Sequence, residues 1–181
     1  MKKITQIAQE ALIPCIKENG IYADFTLGEG HDSRFLLQYP IGKLYAFEKQ
    51  KKVLEHTKTL LNDERLIFIN DGHENLADYI KEPVDGAIFN FGYYPQGNHG
   101  ITTQLETSKA AVTAALKKIK KQGRLVLVIY PGHEEGKKES EHFAAWAKTL
   151  PSHFYAVGKI TMENKQNCPW ILIIERVRYN G

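Results

Sequence analysis

Apolar runs alternate with amphipathic stretches along most of the chain. Five runs rich in β-branched and aromatic residues predict strands, over 21–27, 43–48, 65–70, 84–91 and 124–130. Strands that alternate with helices favour a parallel, doubly wound sheet, because each helix carries the chain back to the edge where the previous strand began. The fifth run, RLVLVIY, is almost wholly apolar, which is typical of a central strand covered on both faces.

Helical spacing of apolar residues fills the stretches between these runs. It predicts helices over 1–20, 51–61 and 137–150 and between the fourth and fifth runs. The first of them is expected to be interrupted near Pro14. In the helix before the fifth run, Thr103 and Glu106 have the spacing of a capping box, and Gly123 suits the exit. The apolar stripe of that helix consists of Leu105, Val112, Leu116 and Ile119.

The last two apolar runs are too close together for a crossover helix. FYAVGKITM and PWILIIERV are joined by the polar loop ENKQNC, so they should pair antiparallel. Five alternating strands followed by an antiparallel pair are typical of class I S-adenosylmethionine-dependent methyltransferases, whereas dinucleotide-binding domains usually continue with another crossover. We therefore predict an α/β, Rossmann-like, doubly wound and mostly parallel sheet of this class, in a single domain over 1–181.

Composition and charge limit the functional classes only loosely. The chain carries a net charge of +3, which permits an RNA partner without requiring one. Its two cysteines, Cys15 and Cys168, are far apart, so a disulfide framework is not indicated. The sequence has no CxxC, HxH or HExxH pair, and we predict no metal site. Because it also lacks a continuous signal-peptide core and an apolar run of about twenty residues, we expect a cytoplasmic protein that does not enter a membrane.

The segment DFTLGEGHD directly follows the first predicted strand, where open α/β sheets bind their ligands. Gly28 and Gly30 lack a Cβ atom, so the backbone can turn sharply there and approach a ligand closely. Asp24 could accept a hydrogen bond from the cationic or amine end of that ligand. The fingerprint of NAD-binding domains has a third glycine where this chain has Ser33, and this disfavours a nicotinamide cofactor.

Acidic residues follow the second and third predicted strands. Glu48 comes about twenty residues after the glycine loop, where a carboxylate can accept both hydroxyls of a ribose. Asp71, Gly72 and His73 follow the third strand and are candidates for contacts with the adenine edge. Asp71 could equally well be the N-cap of the next helix. Together, the loop and Glu48 predict a cofactor that contains a nucleoside.

The segment NFGYYPQG follows the fourth predicted strand, at the position of the [DNS]PP[YF] segment of methyltransferases that modify amino groups. The side-chain carbonyl of Asn90 could accept a hydrogen bond from a substrate amine and aim its lone pair at the methyl group. Tyr93, Tyr94 and His133 are candidates to favour the neutral amine. The alternatives are wall packing for the two tyrosines and an exposed loop position for His133, and we assign no general base.

Lysines are frequent in several segments. They could form a phosphate-binding surface if they cluster, although each is individually typical of a solvated helix end. The residues concerned are Lys49, Lys51, Lys52, Lys117, Lys118, Lys120, Lys121, Lys137 and Lys138.

Four segments in order, DFTLGEGHDSRFL, LYAFEKQ, NFGYYPQG followed by ITT, and LVIYPGHEEGKKE, resemble the family labelled rRNA methylases, across nearly the whole chain. Characterised members, the MnmM (YtqB-like) enzymes, methylate the aminomethyl group of 5-aminomethyl-2-thiouridine at the wobble position of tRNA. The resemblance implies S-adenosylmethionine as cofactor. The implied cofactor contacts are Thr26, Gly28, Glu29, Gly30, His31, Asp32, Glu48, Gln50 and His73. The implied methyl-transfer site consists of Asn90, Gly92 and Tyr93, of which Asn90 and Gly92 would also contact the cofactor.

Two positions depart from the family pattern. The family often has Asn where this chain has Glu29 and Asp where it has Glu48; the second change keeps the acceptor chemistry and the first adds a charge. The resemblance implies N-methylation of 5-aminomethyl-(2-thio)uridine 34 to its 5-methylaminomethyl form. It also implies a tRNA partner, bound at the anticodon loop, and the short chain suggests a homodimer that supplies more RNA-binding surface.

Other functions are compatible with the same residues. The chain could methylate rRNA or a small amine, or it could be a non-catalytic RNA-binding module with the same fold. The intact glycine loop and NFGYYP argue against the binding module. An NAD-dependent oxidoreductase is disfavoured by Ser33 and by the closing strand pair.

Overall fold

The computed structural model describes residues 2–91 and 104–178, and its strands belong to one sheet. The strands are β1 (Ile21–Asp24), β2 (Lys43–Phe47), β3 (Leu66–Ile69), β4 (Val84–Asn90), β5 (Ile119–Ile129), β6 (Tyr155–Ile160) and β7 (Trp170–Arg176). Each predicted strand is present, although most are shorter at their ends than the apolar runs suggested.

The seven strands lie in the order β3-β2-β1-β4-β5-β7-β6. The first five are parallel, while β7 is antiparallel to both β5 and β6, as the short polar loop predicted. From β1 the chain continues first to β2 and β3 on one side and later to β4 and β5 on the other. This reversal opens a crevice at the carboxyl ends of β1 and β4, where ligands bind in such sheets.

Helices cover both faces of the sheet. They are α1 (Ile4–Glu10), α2 (His31–Leu36), α3 (Lys51–Leu60), α4 (Leu76–Tyr79), α5 (Leu105–Lys118) and α6 (Glu134–Ala147). One apolar core lies between the sheet and α4, α5 and α6, and a second lies beneath α1, α2 and α3. After α1 the chain makes a 3₁₀ turn over Ile13–Cys15 that contains Pro14, so the interruption is confirmed. No helix in the described ranges is long and apolar enough to cross a membrane.

The boundaries of α5 and β5 differ from the prediction. The helix ends at Lys118, so Ile119 belongs to β5, where it pairs with Val84 instead of extending the helical stripe. Gly123 also lies within β5 and is not a helix exit. A Cβ atom there would lie 2.6 Å from the carbonyl oxygen of Asp85, so this glycine permits the close approach of β4.

The start of α5 also differs from the prediction. Its N-cap is Gln104, which makes no side-chain capping hydrogen bond, whereas the predicted capping residue Thr103 lies outside the described residues.

Candidate active site

A cavity of about 1060 Å³ opens at the carboxyl ends of β1, β2 and β4. It is as large as typical small-molecule sites and lies at the point where the strand order reverses. Most of the candidate site residues line it: Thr26, Gly28, Glu29, His31, Asp32, Glu48, Gln50, Asp71, Gly72, His73, Asn90 and His133. Gly92, Tyr93 and Tyr94 lie outside the described residues, so their predicted roles stay predictions.

The glycine loop connects β1 to α2 through two residues with positive φ angles, Gly28 at 48° and Gly30 at 74°. Gly28 lines the cavity, and its carbonyl oxygen accepts a hydrogen bond of 2.6 Å from the Thr57 hydroxyl. Gly30 does not line the cavity. A Cβ atom on Gly30 would lie 2.5 Å from Cδ1 of Leu61, so this glycine serves the packing of the loop against α3. The sharp turn expected at Gly30 is confirmed, and its contact with the cofactor stays a prediction.

Replacing Gly30 with alanine is expected to lower the free energy of unfolding by about 2–4 kcal/mol, because the left-handed backbone and the crowded Cβ are both unfavourable. Chemical denaturation measures the change. The control is Gly158→Ala, at an exposed position with open space around the new Cβ; we expect it to stay within about 0.5 kcal/mol. Equal stability of the two variants would contradict this interpretation of Gly30.

Asp24 is fully buried and does not line the cavity. Its two carboxylate oxygens accept hydrogen bonds from the Ser33 hydroxyl, at 2.8 Å, and from the Thr26 amide, at 3.1 Å. Burial, together with the neighbouring charge of Asp32, raises the pKa of Asp24. The sequence predicted that Asp24 contacts the amine of the ligand. In the structure its carboxylate instead points away from the cavity, toward Ser33 and the Thr26 amide. Ser33, which replaces the third glycine of the NAD fingerprint, is its partner and helps to hold the loop.

Glu48 connects the end of β2 to the glycine loop. Its oxygens accept hydrogen bonds from the backbone amides of Gly28, at 3.2 Å, and Gln50, at 2.8 Å. Burial raises the pKa of Glu48, and these amides oppose the shift. The Lys49 amide acts on this carboxylate as well, so three of its four acceptor positions are used and the fourth could accept a ribose hydroxyl. The predicted proximity of loop and acid is confirmed, and the contact with a ribose stays a prediction.

His73 lies against the wall of the cavity with its orientation set by the backbone. Its Nδ1 is 3.2 Å from the carbonyl oxygen of Phe25, which can only accept, so Nδ1 carries the proton and Nε2 is an acceptor. Nε2 is buried and has no hydrogen-bond partner in the described ranges. Burial lowers the pKa of His73, which favours the neutral ring. Such an acceptor fits the amino group of an adenine.

Asp71 is not the N-cap of the following helical turn, because that position is occupied by Gly72. Its carboxylate instead accepts hydrogen bonds from the Gly72 amide, the Asn75 side chain and the Tyr79 hydroxyl, at 2.7, 2.9 and 2.8 Å. It therefore fixes the turn after β3 to α4. Of its two sequence interpretations, the N-cap is wrong, while a contact with the cofactor stays a prediction.

Asn90 stands at the end of β4 in a network that connects four elements. Its Nδ2 donates to Asp32, its Oδ1 accepts from the Tyr130 hydroxyl at 3.3 Å, and its backbone amide donates to the Thr26 hydroxyl at 2.7 Å. Burial and the charge of Asp32 raise the pKa of Tyr130 to about 12, so this hydroxyl stays protonated and can donate. The amide oxygen of Asn90 is thereby turned away from Asp32 and keeps one acceptor position.

Sequence reasoning missed two members of this network. Gln9, on α1, donates to Asp32 at 2.7 Å, and Tyr130, at the end of β5, bonds to Asn90. Both line the cavity. Gln9 belongs to a helix without any recognisable catalytic motif. The one feature of the sequence that could have identified it is that a polar residue interrupts the apolar stripe of α1. Tyr130 lies in the segment YPGHEEG, in which the sequence predicted a role for His133 alone.

His133 is the N-cap of α6 and not an exposed loop residue. Its Nδ1 accepts a hydrogen bond of 2.8 Å from the Gly136 amide, which explains why α6 begins at Glu134, three residues before the prediction. His133 also lines the cavity, as do Thr107, Gly132, Asn167 and Pro169. A role for His133 in catalysis stays a prediction.

The lysines do not form one cluster. Lys120 pairs with Asp85 at 2.8 Å and Lys138 with Glu135 at 2.5 Å. Lys117 and Lys118 end α5, directly before the start of β5 and thus at the edge of the sheet opposite the cavity. Among the described lysines and arginines, Lys3, Arg34 and Lys49 line the cavity, and of these Lys49 belonged to the predicted set.

The strand order, the glycine loop after β1 and the acid after β2 define a class I S-adenosylmethionine-dependent methyltransferase. Residues 44–176 match the protein family described as "Putative rRNA methylase", and the chain belongs to that family.

Two curated relatives differ in how much of this chain they match. Over 96% of its length, the chain is 29% identical to the chloroplastic tRNA (mnm(5)s(2)U34)-methyltransferase of Arabidopsis thaliana, of which it covers 69%. It is also 34% identical over 84 residues to the ribosomal RNA small subunit methyltransferase H of Shewanella woodyi. That match covers 42% of this chain and 27% of the relative, so it concerns only part of either protein.

Solved structures agree with this assignment. The crystal structure of a "putative rRNA-methylase" from Clostridium thermocellum has a TM-score of 0.91 and 30% identity, covering 97% of this chain and 98% of that one. A "putative methyltransferase" from Streptococcus mutans, in complex with SAH, has a TM-score of 0.87 and 28% identity, covering 97% and 99%. The predicted fold is confirmed, and the chain is a methyltransferase that uses S-adenosylmethionine.

Proposed function

We propose that this protein methylates the aminomethyl nitrogen of 5-aminomethyl-(2-thio)uridine at wobble position 34 of tRNA. The observation that carries the proposal is the oriented amide oxygen of Asn90, which faces the cavity with one acceptor position left. A substrate amine that donates to this oxygen has its lone pair held in a defined direction. The relative from Arabidopsis, whose name specifies this reaction, supports the choice of acceptor.

The cavity extends along the carboxyl edge of the sheet on both sides of β4, the strand that carries Asn90. Gly28, Glu48 and His73 supply acceptors and a glycine loop suited to the nucleoside part of S-adenosylmethionine. His133 follows β5 and Asn167 precedes β7, on the other side of β4, and the acceptor would lie between these lining residues and Asn90. The reaction is a direct displacement: the nitrogen lone pair attacks the methyl carbon, and the carbon–sulfur bond breaks with its electrons going to sulfur. The protein positions the amine and the methyl group, surrounds them with apolar side chains and accepts the proton that the amine loses.

The proposed partner is the anticodon loop of tRNA. Lys3, Arg34 and Lys49 line the cavity and could contact the phosphates that flank the modified base. The side chain of Lys49 is 67% exposed and lies 3.8 Å from Glu74, so it remains accessible to a phosphate. A homodimer, which would add RNA-binding surface, stays a prediction.

The deciding experiment is incubation of the purified protein with labelled S-adenosylmethionine and bulk tRNA from a strain that lacks the gene. Nucleoside mass spectrometry should show conversion of 5-aminomethyl-2-thiouridine to its methylaminomethyl form. Parallel reactions contain ribosomal RNA, because the family description and the partial match to a ribosomal RNA enzyme name that substrate. Methylation of ribosomal RNA alone would overturn the proposed acceptor. No transfer to either RNA, with cofactor binding intact, would favour a small amine or a non-catalytic RNA-binding module.

A further inference from the structure

Asp32 is a buried carboxylate beside the residue that receives the substrate amine. It lies in the first turn of α2, is only 6% exposed and lines the cavity. Its Oδ2 accepts a hydrogen bond from the side-chain amide of Asn90, and its Oδ1 accepts one of 2.7 Å from Gln9. We propose that Asp32 takes the proton of the substrate ammonium before the nitrogen attacks the methyl group. This inference rests on the proposed function and adds a catalytic residue to it.

The surroundings of Asp32 are suited to a cationic ligand. Both of its hydrogen-bond partners in the described ranges are neutral amides, and a second buried carboxylate, Asp24, lies close enough to influence it electrostatically. A buried carboxylate is costly unless a cation or several donors compensate it. Each oxygen still has an acceptor position after the bonds from Gln9 and Asn90. An ammonium group in the cavity would donate hydrogen bonds to these remaining positions and would compensate the negative charge of Asp32.

The position of this carboxylate distinguishes two classes of amine. An aliphatic primary amine resembles the lysine side chain, whose pKa is about 10.4, so at neutral pH it is protonated and has no lone pair. It needs a base before it can attack. The amino group of a nucleobase is already neutral and has no ammonium proton to give to a carboxylate before the attack. A base beside Asn90 thus fits an aminomethyl group better than a ring amine of ribosomal RNA.

Proton transfer to Asp32 precedes the transfer of the methyl group. The ammonium loses one proton to an oxygen of Asp32 and becomes a neutral amine hydrogen-bonded to the Asn90 carbonyl. Its lone pair forms the new bond to the methyl carbon while the carbon–sulfur bond breaks, which leaves a neutral thioether and a secondary ammonium. Protonated Asp32 then returns its proton to solvent when the product leaves. Neither an oxidant nor a further reactant is needed.

The electrostatic environment of Asp32 agrees with a proton acceptor. Burial raises the pKa of Asp32, while the hydrogen bonds from Gln9 and Asn90 and the charge of His31 oppose the shift. In the part of the chain that the structure describes, Asp24 on β1 and Tyr130 after β5 also interact electrostatically with it. A raised pKa brings the carboxyl group closer to the working pH, where proton transfer is most effective. Since only the ionised form accepts a proton, the rate should fall as the pH drops through this pKa.

The test compares the wild type with Asp32→Asn at pH 6.5 to 9, with tRNA that carries the aminomethyl group. We expect a deficit in single-turnover rate of about 100-fold at pH 7. The deficit should shrink about tenfold per pH unit, because the neutral fraction of an amine rises by that factor below its pKa. The control Asp78→Asn removes a carboxylate at an exposed position on α4 that does not line the cavity, and its profile should keep the wild-type shape. The family resemblance implies that Asp32 contacts the cofactor, whereas the proposal assigns its charge to the substrate ammonium. The dissociation constant of S-adenosylmethionine should therefore change less than threefold in Asp32→Asn.

Three results would overturn the inference while leaving the tRNA activity intact. A deficit of Asp32→Asn that is independent of pH would make Asp32 a positioning residue for Asn90. A parallel loss of affinity for S-adenosylmethionine would mean that the charge of Asp32 binds the methyl donor and not the substrate amine. If Asp32→Asn fails to fold, the pH profile of the wild type alone still tests the inference. A wild-type rate that rises tenfold per pH unit up to pH 9 would mean that the enzyme binds the neutral amine from solution and does not deprotonate the ammonium. Methylation of a nucleobase amine alone would overturn both the inference and the proposed function.

Discussion

Replacing Asn90 with alanine is expected to lower the turnover number by about 1000-fold. The amide oxygen of Asn90 is the acceptor that would orient the substrate amine, and its direction is set by Asp32 on one side and Tyr130 on the other. Alanine removes this acceptor and leaves the donor hydroxyl of Tyr130 without its bond. The contacts of Glu48 with the glycine loop are unaffected, so the affinity for S-adenosylmethionine should change little.

Two measurements separate the possible roles of Asn90. Single-turnover methylation of tRNA gives the rate, and isothermal titration gives the dissociation constant of S-adenosylmethionine. The control is Asn62→Ala, at an exposed position in the turn between α3 and β3, which should behave as the wild type. An equal loss of rate and cofactor affinity in Asn90→Ala would place Asn90 in the cofactor site instead.

Replacing Glu48 with glutamine is expected to weaken S-adenosylmethionine binding by about 30- to 100-fold, equivalent to about 2–3 kcal/mol. Both oxygens of Glu48 accept backbone hydrogen bonds, from Gly28 and Gln50. A glutamine has one acceptor oxygen and one NH₂ group, so one of these two amides would face another donor. The glycine loop would then lose part of its support, and the ribose would lose an ionised acceptor.

Equilibrium binding of S-adenosylmethionine and of SAH measures this change. At saturating cofactor the turnover number should recover to within about threefold, since an interaction equal in ground and transition states affects binding alone. Glu55→Gln, at an exposed position on α3, is the matched control for the loss of one carboxylate. If Glu48→Gln bound the cofactor as tightly as that control, Glu48 would not belong to the cofactor site.

Much of the fold follows from local patterns in the sequence. The apolar runs that became β1 to β5 contain enough β-branched and aromatic residues to be recognised one by one. The closing pair was predictable because the ENKQNC loop is too short for a parallel connection. The end of α5 was not, because Ile119 fits a helical stripe equally well. Only its pairing with Val84 on β4 makes it a strand residue.

Some residues of the candidate site could likewise be located from the sequence, whereas others could not. The glycine loop and Glu48 could be placed together from the sequence, because parallel strands bring their carboxyl ends to one edge and because the spacing is set by one strand–helix–strand unit. Asn90 was recognisable from its position after the fourth strand. These residues have in common that their location depends on the order of elements and not on how side chains pack.

Only the tertiary structure decided which way several of these side chains point. Asp24 and Gly30 lie in the predicted loop, yet one is turned toward Ser33 and the other toward Leu61. Gln9 joins the site because α1 packs against the sheet beside α2, a contact between elements distant in sequence.

The sequence by itself thus determined the class of fold, the cofactor edge of the sheet and the position of Asn90, the residue proposed to meet the substrate amine, because these depend on periodicity and strand order. The network that orients Asn90 and places a carboxylate beside it depends on side chains from α1, α2, β4 and the end of β5 meeting in one cavity. Hydrogen-bond partners are chosen by distance and direction in the folded chain, which no local pattern encodes.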